Sequence, residues 1–433
     1  MTLETIQTPG DTDWFVHDRF GLFIHWGAYA LAARHEWVKN REEIPDDVYH
    51  RKYFEHFDPD LYDPDEWARL ASDAGMKYFV ITTKHHEGFC LWDSELTDYK
   101  ATNTPCGRDL LHPMVDAFRS RGMKVGFYHS LIDWHHPEFP IDGLHPMRNR
   151  PDAHQMNEER DVSKYADYLR GQVRELLTEF GDVQILWMDF SYAHRDWGQD
   201  QGFDGKGRED WQSEVIYEMV RELQPGIILN DRLDLDEGWD VKTPEQYQPR
   251  EWVRVDGQPV VWEACQTFSG SWGYHREEAS WKSVPQLVRM LIDTMSKGGN
   301  LLLNVGPTAR GEFDCRARDR LEGIGRWMRQ HDRSIYGCTQ APDRFETPRD
   351  CRLTYNPDTN RIYVHVLAWP FKHLFLDGFA GEVEYAQLLN DASEVAFEEP
   401  DEHQAGKMDE TVVLNLPVRK PNVTVPVIEL YLK

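Results

Sequence analysis

Residues 183–189 read Val183-Gln184-Ile185-Leu186-Trp187-Met188-Asp189, a run apolar enough for a strand covered on both faces, yet it closes on a carboxylate. An unpaired buried charge is heavily penalised, so a partner or a ligand must await Asp189. A structural salt bridge to Arg232 or Lys84 is the plainer reading; a functional carboxylate is the sharper one. Runs of the same kind recur at 20–26, 78–83, 125–128, 227–229, 260–262 and 301–305. Between them lie amphipathic stretches with helix-start signals, at 64–74, 110–121, 163–180, 211–223 and 283–296. Strand alternating with helix at this spacing predicts parallel βα units, and seven or eight of them predict an α/β fold, an imperfect (β/α)8 barrel. An open doubly wound sheet is the alternative. The eighth strand is expected as an irregular one near 334–339, after a helix over 316–331.

From about Asp343 the pattern changes to brief alternating segments separated by turn residues, at 352–355, 361–367, 373–376, 382–389, 411–416 and 423–431. This predicts an all-β C-terminal sandwich over 341–433, following a catalytic barrel over 1–340.

The 433 residues are 40% hydrophobic, which excludes disorder as the general state. The longest apolar runs fall far short of the roughly 20 residues that a membrane-spanning helix needs, so a soluble protein with no membrane partner is expected. Lys and Arg number 48 against 75 Asp and Glu, a net charge of −27 that repels phosphate-rich partners. Nucleic acid is therefore not expected as a partner. Residues 1–14 are polar and acidic, without a basic start or an apolar stretch, and a cytoplasmic location is the expectation. Six cysteines lie singly along the chain and read as free thiols.

Chemistry is concentrated where the apolar runs end. His25 follows the first, Lys84, His85 and His86 the second, Tyr128 and His129 the third. Trp187 and Asp189 close the fourth; Asn230, Asp231 and Arg232 the fifth; Glu263 the sixth; Asn304 the seventh. In a parallel barrel these residues converge on the C-terminal rim, where such barrels build active sites. A polar residue after a strand is often no more than the chain meeting water, but seven ends rich in His, Arg, Trp and carboxylate make a shared site the better account. No two histidines alternate along a strand, and adjacent His85 and His86 would face opposite ways in a regular one, so no metal site is expected. Gly298-Gly299 precedes a strand instead of opening a helix, which speaks against a phosphate loop. Neutral His, Arg and Trp around carboxylates suit an uncharged polyhydroxylated ligand, a sugar. Two carboxylates then suffice to cleave a glycosidic bond.

At these residues the sequence resembles the α-L-fucosidases of glycoside hydrolase family 29. The matching blocks are Phe20-Gly-Leu-Phe-Ile-His-Trp-Gly27, Glu36-Trp37, Tyr78-Phe-Val-Ile-Thr-Thr-Lys-His-His-Glu-Gly-Phe89, Gly126-Phe-Tyr-His-Ser130, Leu186-Trp-Met-Asp189, Leu229-Asn-Asp-Arg232, Gly270-Ser-Trp-Gly-Tyr274 and Lys297-Gly-Gly-Asn-Leu-Leu-Leu-Asn-Val-Gly-Pro307. The resemblance implies a retaining exo-glycosidase that hydrolyses terminal α-linked L-fucose through a covalent intermediate, without metal or cofactor. It implies Asp189 as nucleophile and a fucosylated oligosaccharide or glycoside as substrate. It also implies sugar contacts from His25, Glu36, Trp37, His85, His86, Tyr128, Trp187 and Arg232, with Trp272 against the C5 methyl group. Lys242-Thr-Pro-Glu-Gln246 is similar to the loop that carries the acid/base, which selects Glu245; Glu263 is the rival. A glycosidase for a related sugar such as an α-L-galactoside, and a lectin-like fucose-binding protein without turnover, are the alternatives. Loops 133–159 and 193–210 are expected as solvated covering, the other roles open to them being the aglycone side or a subunit contact in a homo-oligomer.

Overall fold

Seven parallel strands form one sheet: β1 (Phe20–Ile24), β2 (Tyr78–Lys84), β3 (Lys124–Ser130), β4 (Ile185–Asp189), β5 (Ile228–Leu229), β6 (Glu263–Thr267) and β7 (Asn300–Val305). The structure is a computed structural model and describes residues 4–193, 202–398 and 410–433. The strand order is β5-β4-β3-β2-β1-β7-β6, so the first and last βα units are neighbours, as in a barrel. Every residue of β1, β2, β4, β6 and β7 is buried, which explains why β1, β2, β4 and β7 read as largely continuous apolar runs; β6, Glu263-Ala-Cys-Gln-Thr267, is buried without being apolar.

Period-two alternation divides the strand residues between two cores. Phe23, Tyr78, Val80, Tyr128, Ile185, Trp187, Cys265 and Leu302 pack together inside the barrel. Their strand neighbours Leu22, Phe79, Phe127, Leu186, Met188 and Leu301 join the larger core under the helices. Gly21 pairs with Tyr78, and a Cβ there would lie 2.2 Å from the Tyr78 ring; glycine leaves room for an aromatic in a narrow interior. The helices start where their caps dictate. Asp63 accepts from the Glu66 N–H ahead of Pro64–Asp73, and Ser283 with Gln286 forms a capping box ahead of Val284–Met295.

The two sheet edges, β5 and β6, are both bridged to the irregular segment 240–246. Asp240 N–H donates to Leu229 O, Glu263 N–H to Lys242 O, and Cys265 N–H to Pro244 O. Asp240 pins the start of this seam by accepting from Gly10 N, Leu229 N and Arg221. The irregular eighth member of the barrel is therefore 240–246, not 334–339. Thr339–Gln340 instead pairs antiparallel with Cys351–Asn356. A stretch without hydrophobic alternation gives no periodic signal, and this one is held by backbone bridges and one buried aspartate.

Three further expectations shift. The sixth strand runs over Glu263–Thr267 and not over 260–262, because Trp262 packs under Gly299 as the chain approaches the barrel. The helix expected over 211–223 is two, Arg208–Trp211 and Ser213–Leu223, separated by Gln212 in a left-handed conformation with φ 52°. Loop 133–159 is not solvated covering: Phe139, Ile141, Asp142 and His145 are buried, with Asp142 held by Tyr192 and Lys206. Of loop 193–210, residues 194–201 lie outside the described residues. All six cysteines are free.

Beyond the barrel, antiparallel strands form a five-stranded sheet in the order 339–340, 351–356, 361–366, 427–432, 383–388, and a three-stranded sheet in the order 373–377, 411–415, 397–398. Leu353, Ile362, Val364, Leu376, Leu414 and Leu430 fill a second core between them.

Candidate active site

The alternation that builds the barrel also aims its chemistry. Ile185 and Trp187 face inward on β4, so Asp189, two residues on, faces inward at the strand's end. The same register carries Phe23 to His25 and brings Tyr128 inward while His129 turns out to hydrogen-bond Thr83. Lys84 turns outward too, to Asp133 at 3.3 Å, against the parity of inward Tyr78 and Val80, because the pairing of β2 with β3 shifts register between Thr82 and Lys84. His85 and His86 escape the alternation because β2 ends at Lys84 and both fall in the following turn, with ring centroids 4.0 Å apart.

One pocket is lined by Phe23, His25, Trp37, His85, His86, Tyr128, Trp187, Asp189, Phe190, Glu245 and Trp272. The Tyr128 hydroxyl donates to Asp189 Oδ2 at 2.8 Å, and Arg232 Nη1 lies 2.9 Å from Asp189 Oδ1. The same Arg232 nitrogen lies 2.8 Å from Glu245 Oε2. Arg232 is fixed from behind by the Thr243 hydroxyl and carbonyl, and its guanidinium lies over Trp187 at 4.5 Å. Burial raises the Asp189 pKa; Arg232 and the Tyr128 hydrogen bond oppose it, and Glu245 adds to it. The Asp189 side chain is 11% exposed, whereas that of Glu245 is 40% exposed and faces the rim.

The histidines are neutral and oriented. Burial drives the pKa of His25 and His86 well down and takes His85 to about 4. Asn304 donates its amide to Trp272 O, so its oxygen faces His25 Nδ1 at 2.6 Å and that nitrogen carries the hydrogen. The Ser130 hydroxyl donates to Ile132 O and therefore accepts from His86 Nδ1 at 2.6 Å. Both rings thus keep Nε2 as a free acceptor, and His86 Nε2 stands 4.0 Å from Asp189. Trp272 closes one wall, 5.0 Å from the His25 ring and 5.8 Å from Phe23. Trp37 packs on His86 and Phe190 at 5.1 and 5.3 Å.

Two of the residues singled out in the sequence are not among the pocket-lining side chains. Glu36 is buried and accepts from Gly273 N–H at 2.7 Å, bracing the Trp272 loop. Glu263 opens β6 instead of ending a strand. It therefore lies deep in the barrel, wholly buried, where it accepts from the Tyr78 hydroxyl at 2.5 Å and burial pushes its pKa up to about 8. It is absent from the pocket that holds Asp189.

Residues 2–333 match the family described as Alpha-L-fucosidase. The chain belongs to the α-L-fucosidase family. It is similar to α-L-fucosidase isoenzyme 1 from Paenibacillus thiaminolyticus, with 44% identity and a TM-score of 0.89 over 98% of each chain. A GH29 α-L-fucosidase from Bacteroides thetaiotaomicron, a trapped covalent intermediate in complex with 2-fluoro-fucosyl fluoride, matches at 26% identity and a TM-score of 0.83 over 100% of each chain. Human plasma α-L-fucosidase is 28% identical over 397 residues, 85% of this chain and 78% of the human one. The enzyme is a glycoside hydrolase, and the alternative of fucose binding without turnover is set aside.

Phe23 and Phe190 also line the fucosidase pocket without having been singled out in the sequence. Phe23 is visible in hindsight as the inward residue two before His25. Phe190 carries no such signal: it directly follows Asp189 and holds a positive φ of 89°, a strained conformation that turns the chain away at the rim.

Proposed function

We propose that the enzyme removes terminal α-L-fucose from fucosylated oligosaccharides or glycosides with retention of configuration, Asp189 acting as nucleophile and Glu245 as acid and base. The observation that carries this reading is the shared contact of Asp189 and Glu245 with Arg232 Nη1, at 2.9 and 2.8 Å. One oxygen of each carboxylate is then at most about 6 Å from the other, a proximity that suits the roughly 5–5.5 Å of a retaining pair.

Asp189, oriented by Arg232 and Tyr128, attacks the anomeric carbon while Glu245 protonates the leaving oxygen. Glu245 then takes a proton from water, which attacks the same carbon and frees Asp189. His25 and His86 accept hydrogen bonds from sugar hydroxyls at Nε2, and the faces of Trp272 and Phe23 suit the C5 methyl group. The barrel floor of Phe23, Tyr128 and Trp187 stops the pocket below, which fits a terminal residue. Beyond Glu245 a cleft of about 680 Å³, lined in part by Asp231, Gln246 and Tyr247, gives the leaving group its place.

Incubation with oligosaccharides carrying fucose in different linkages, followed by NMR of the anomeric proton, tests the reading. α-L-Fucose should appear first and mutarotate afterwards. Initial release of the β-anomer, or no release from any linkage or aryl α-L-fucoside, would refute it.

A further inference from the structure

Glu87 follows the two pocket histidines and takes no part in the steps above. Its side chain is wholly buried, and neither carboxyl oxygen has a hydrogen-bond partner. Oε2 lies 3.7 Å from Nδ1 of His85, itself buried and without a partner. Oε1 rests against Gly27, where a Cβ would come within 2.9 Å, so the glycine after His25-Trp26 leaves the carboxyl its space. Two buried polar atoms facing each other are costly unless a proton lies between them, and a small side-chain rotation closes 3.7 Å to a hydrogen bond.

We propose that Glu87 is a positioning residue for fucoside hydrolysis: its protonated carboxyl donates to His85 Nδ1 and so fixes the imidazole with Nε2–H directed at the bound sugar. The proposal rests on the pocket being the fucose site. His25 and His86, held through Nδ1–H, present lone pairs; His85 then supplies a donor beside two acceptors, a set matched to hydroxyls that both give and receive.

The surroundings favour the protonated acid. Lys39, Asp133 and Glu36 are the charged groups that act on Glu87, and the hydroxyls of Tyr29, Tyr49 and Tyr99 are its other titratable neighbours. Burial pushes the Glu87 pKa up to about 8; Lys39 opposes this, and Asp133 and Glu36 add to it. His85 stays neutral. Above that pH the carboxylate instead accepts from Nδ1–H, and His85 turns a lone pair toward the sugar.

Three variants test this on an aryl α-L-fucoside with an activated leaving group, for which the acid step at Glu245 is not needed. Glu87→Met should lower kcat by about 10–100-fold. Glu87→Gln, whose amide still donates, should restore most of that loss and abolish the fall in kcat/KM expected of the wild type near pH 8. In 15N-histidine spectra, with His85→Asn to assign the signal, wild-type His85 should carry its hydrogen on Nε2. A Glu87→Met enzyme with wild-type kcat, an alkaline fall that persists in Glu87→Gln, or a wild-type His85 protonated at Nδ1 at neutral pH would each overturn the proposal. The spectra read the tautomer without turnover, so a wrong substrate assignment would not mimic these failures.

Discussion

The Tyr128 hydroxyl donates to Asp189 Oδ2 across 2.8 Å, from a tyrosine whose ring is wholly buried between Trp187 and His85. The bond holds one carboxylate oxygen in place and leaves the other to Arg232. Tyr128→Phe should keep the ring packing and lose the donor, lowering kcat by about 10–100-fold, as expected for a hydrogen bond to a charged group. Steady-state kinetics on an aryl α-L-fucoside checks this; an unchanged kcat would remove Tyr128 from the mechanism.

Asp189→Ala should lower turnover by about 10⁴-fold or more. Burial disfavours the charge of Asp189, but its removal leaves the Tyr128 hydroxyl without an acceptor and Arg232 with Glu245 as its remaining carboxylate, so the variant should stay folded and melt at or a few degrees below the wild type. Near-normal activity with an intact melting profile would reject Asp189 as nucleophile.

Glu245→Ala should be slow on natural glycosides, and added azide should restore activity on substrates with good leaving groups by forming β-fucosyl azide. The product is read by NMR. Azide rescue of a Glu263 variant, with none at Glu245, would transfer the role to a residue that the fold buries under the site.

Trp272→Ala removes the indole face opposite His25. The preference for aryl α-L-fucoside over α-L-galactoside, which differ by one hydroxyl on the C5 substituent, should then fall about tenfold in kcat/KM. A ratio unaffected by the substitution would place the methyl contact on another side chain.

Glu263 ionises near its ordinary 4.5 in the unfolded chain and at about 8 in the fold. A carboxyl whose pKa is raised by folding stabilises the fold at low pH, and that contribution is lost as the pH climbs from about 4.5 to 8. Glu263→Gln, which can still accept from Tyr78, should therefore gain on the wild type in melting temperature between pH 5 and pH 8, by a few degrees. Parallel melting curves with no pH-dependent difference would show that Glu263 is ionised throughout.

Much of this site is legible in the sequence because barrel and pocket obey one rule. Where a strand is regular, period two says which residue faces inward, and Asp189, Tyr128 and His25 follow from it. The rule fails where regularity stops. His85 and His86 share a pocket only because β2 ends before them, and Glu263 loses its place at the rim because its strand starts three residues later than the apolar run 260–262. The roles of Glu36 under Gly273 and of Asp240 in the seam depend on backbone N–H groups far away in the chain, which residue types do not announce.

The segment 240–246 is at once a wall and a tool. Its bridges to β5 and β6 shut the barrel's circumference, and Glu245 stands among them, one residue before Gln246 with its left-handed φ of 59°. Lengthening or shortening this stretch to suit a new leaving group would therefore also unzip or overfill the cylinder, so changes of linkage preference are more readily accommodated beyond Gln246, from Tyr247 onward, where the backbone has left the staves.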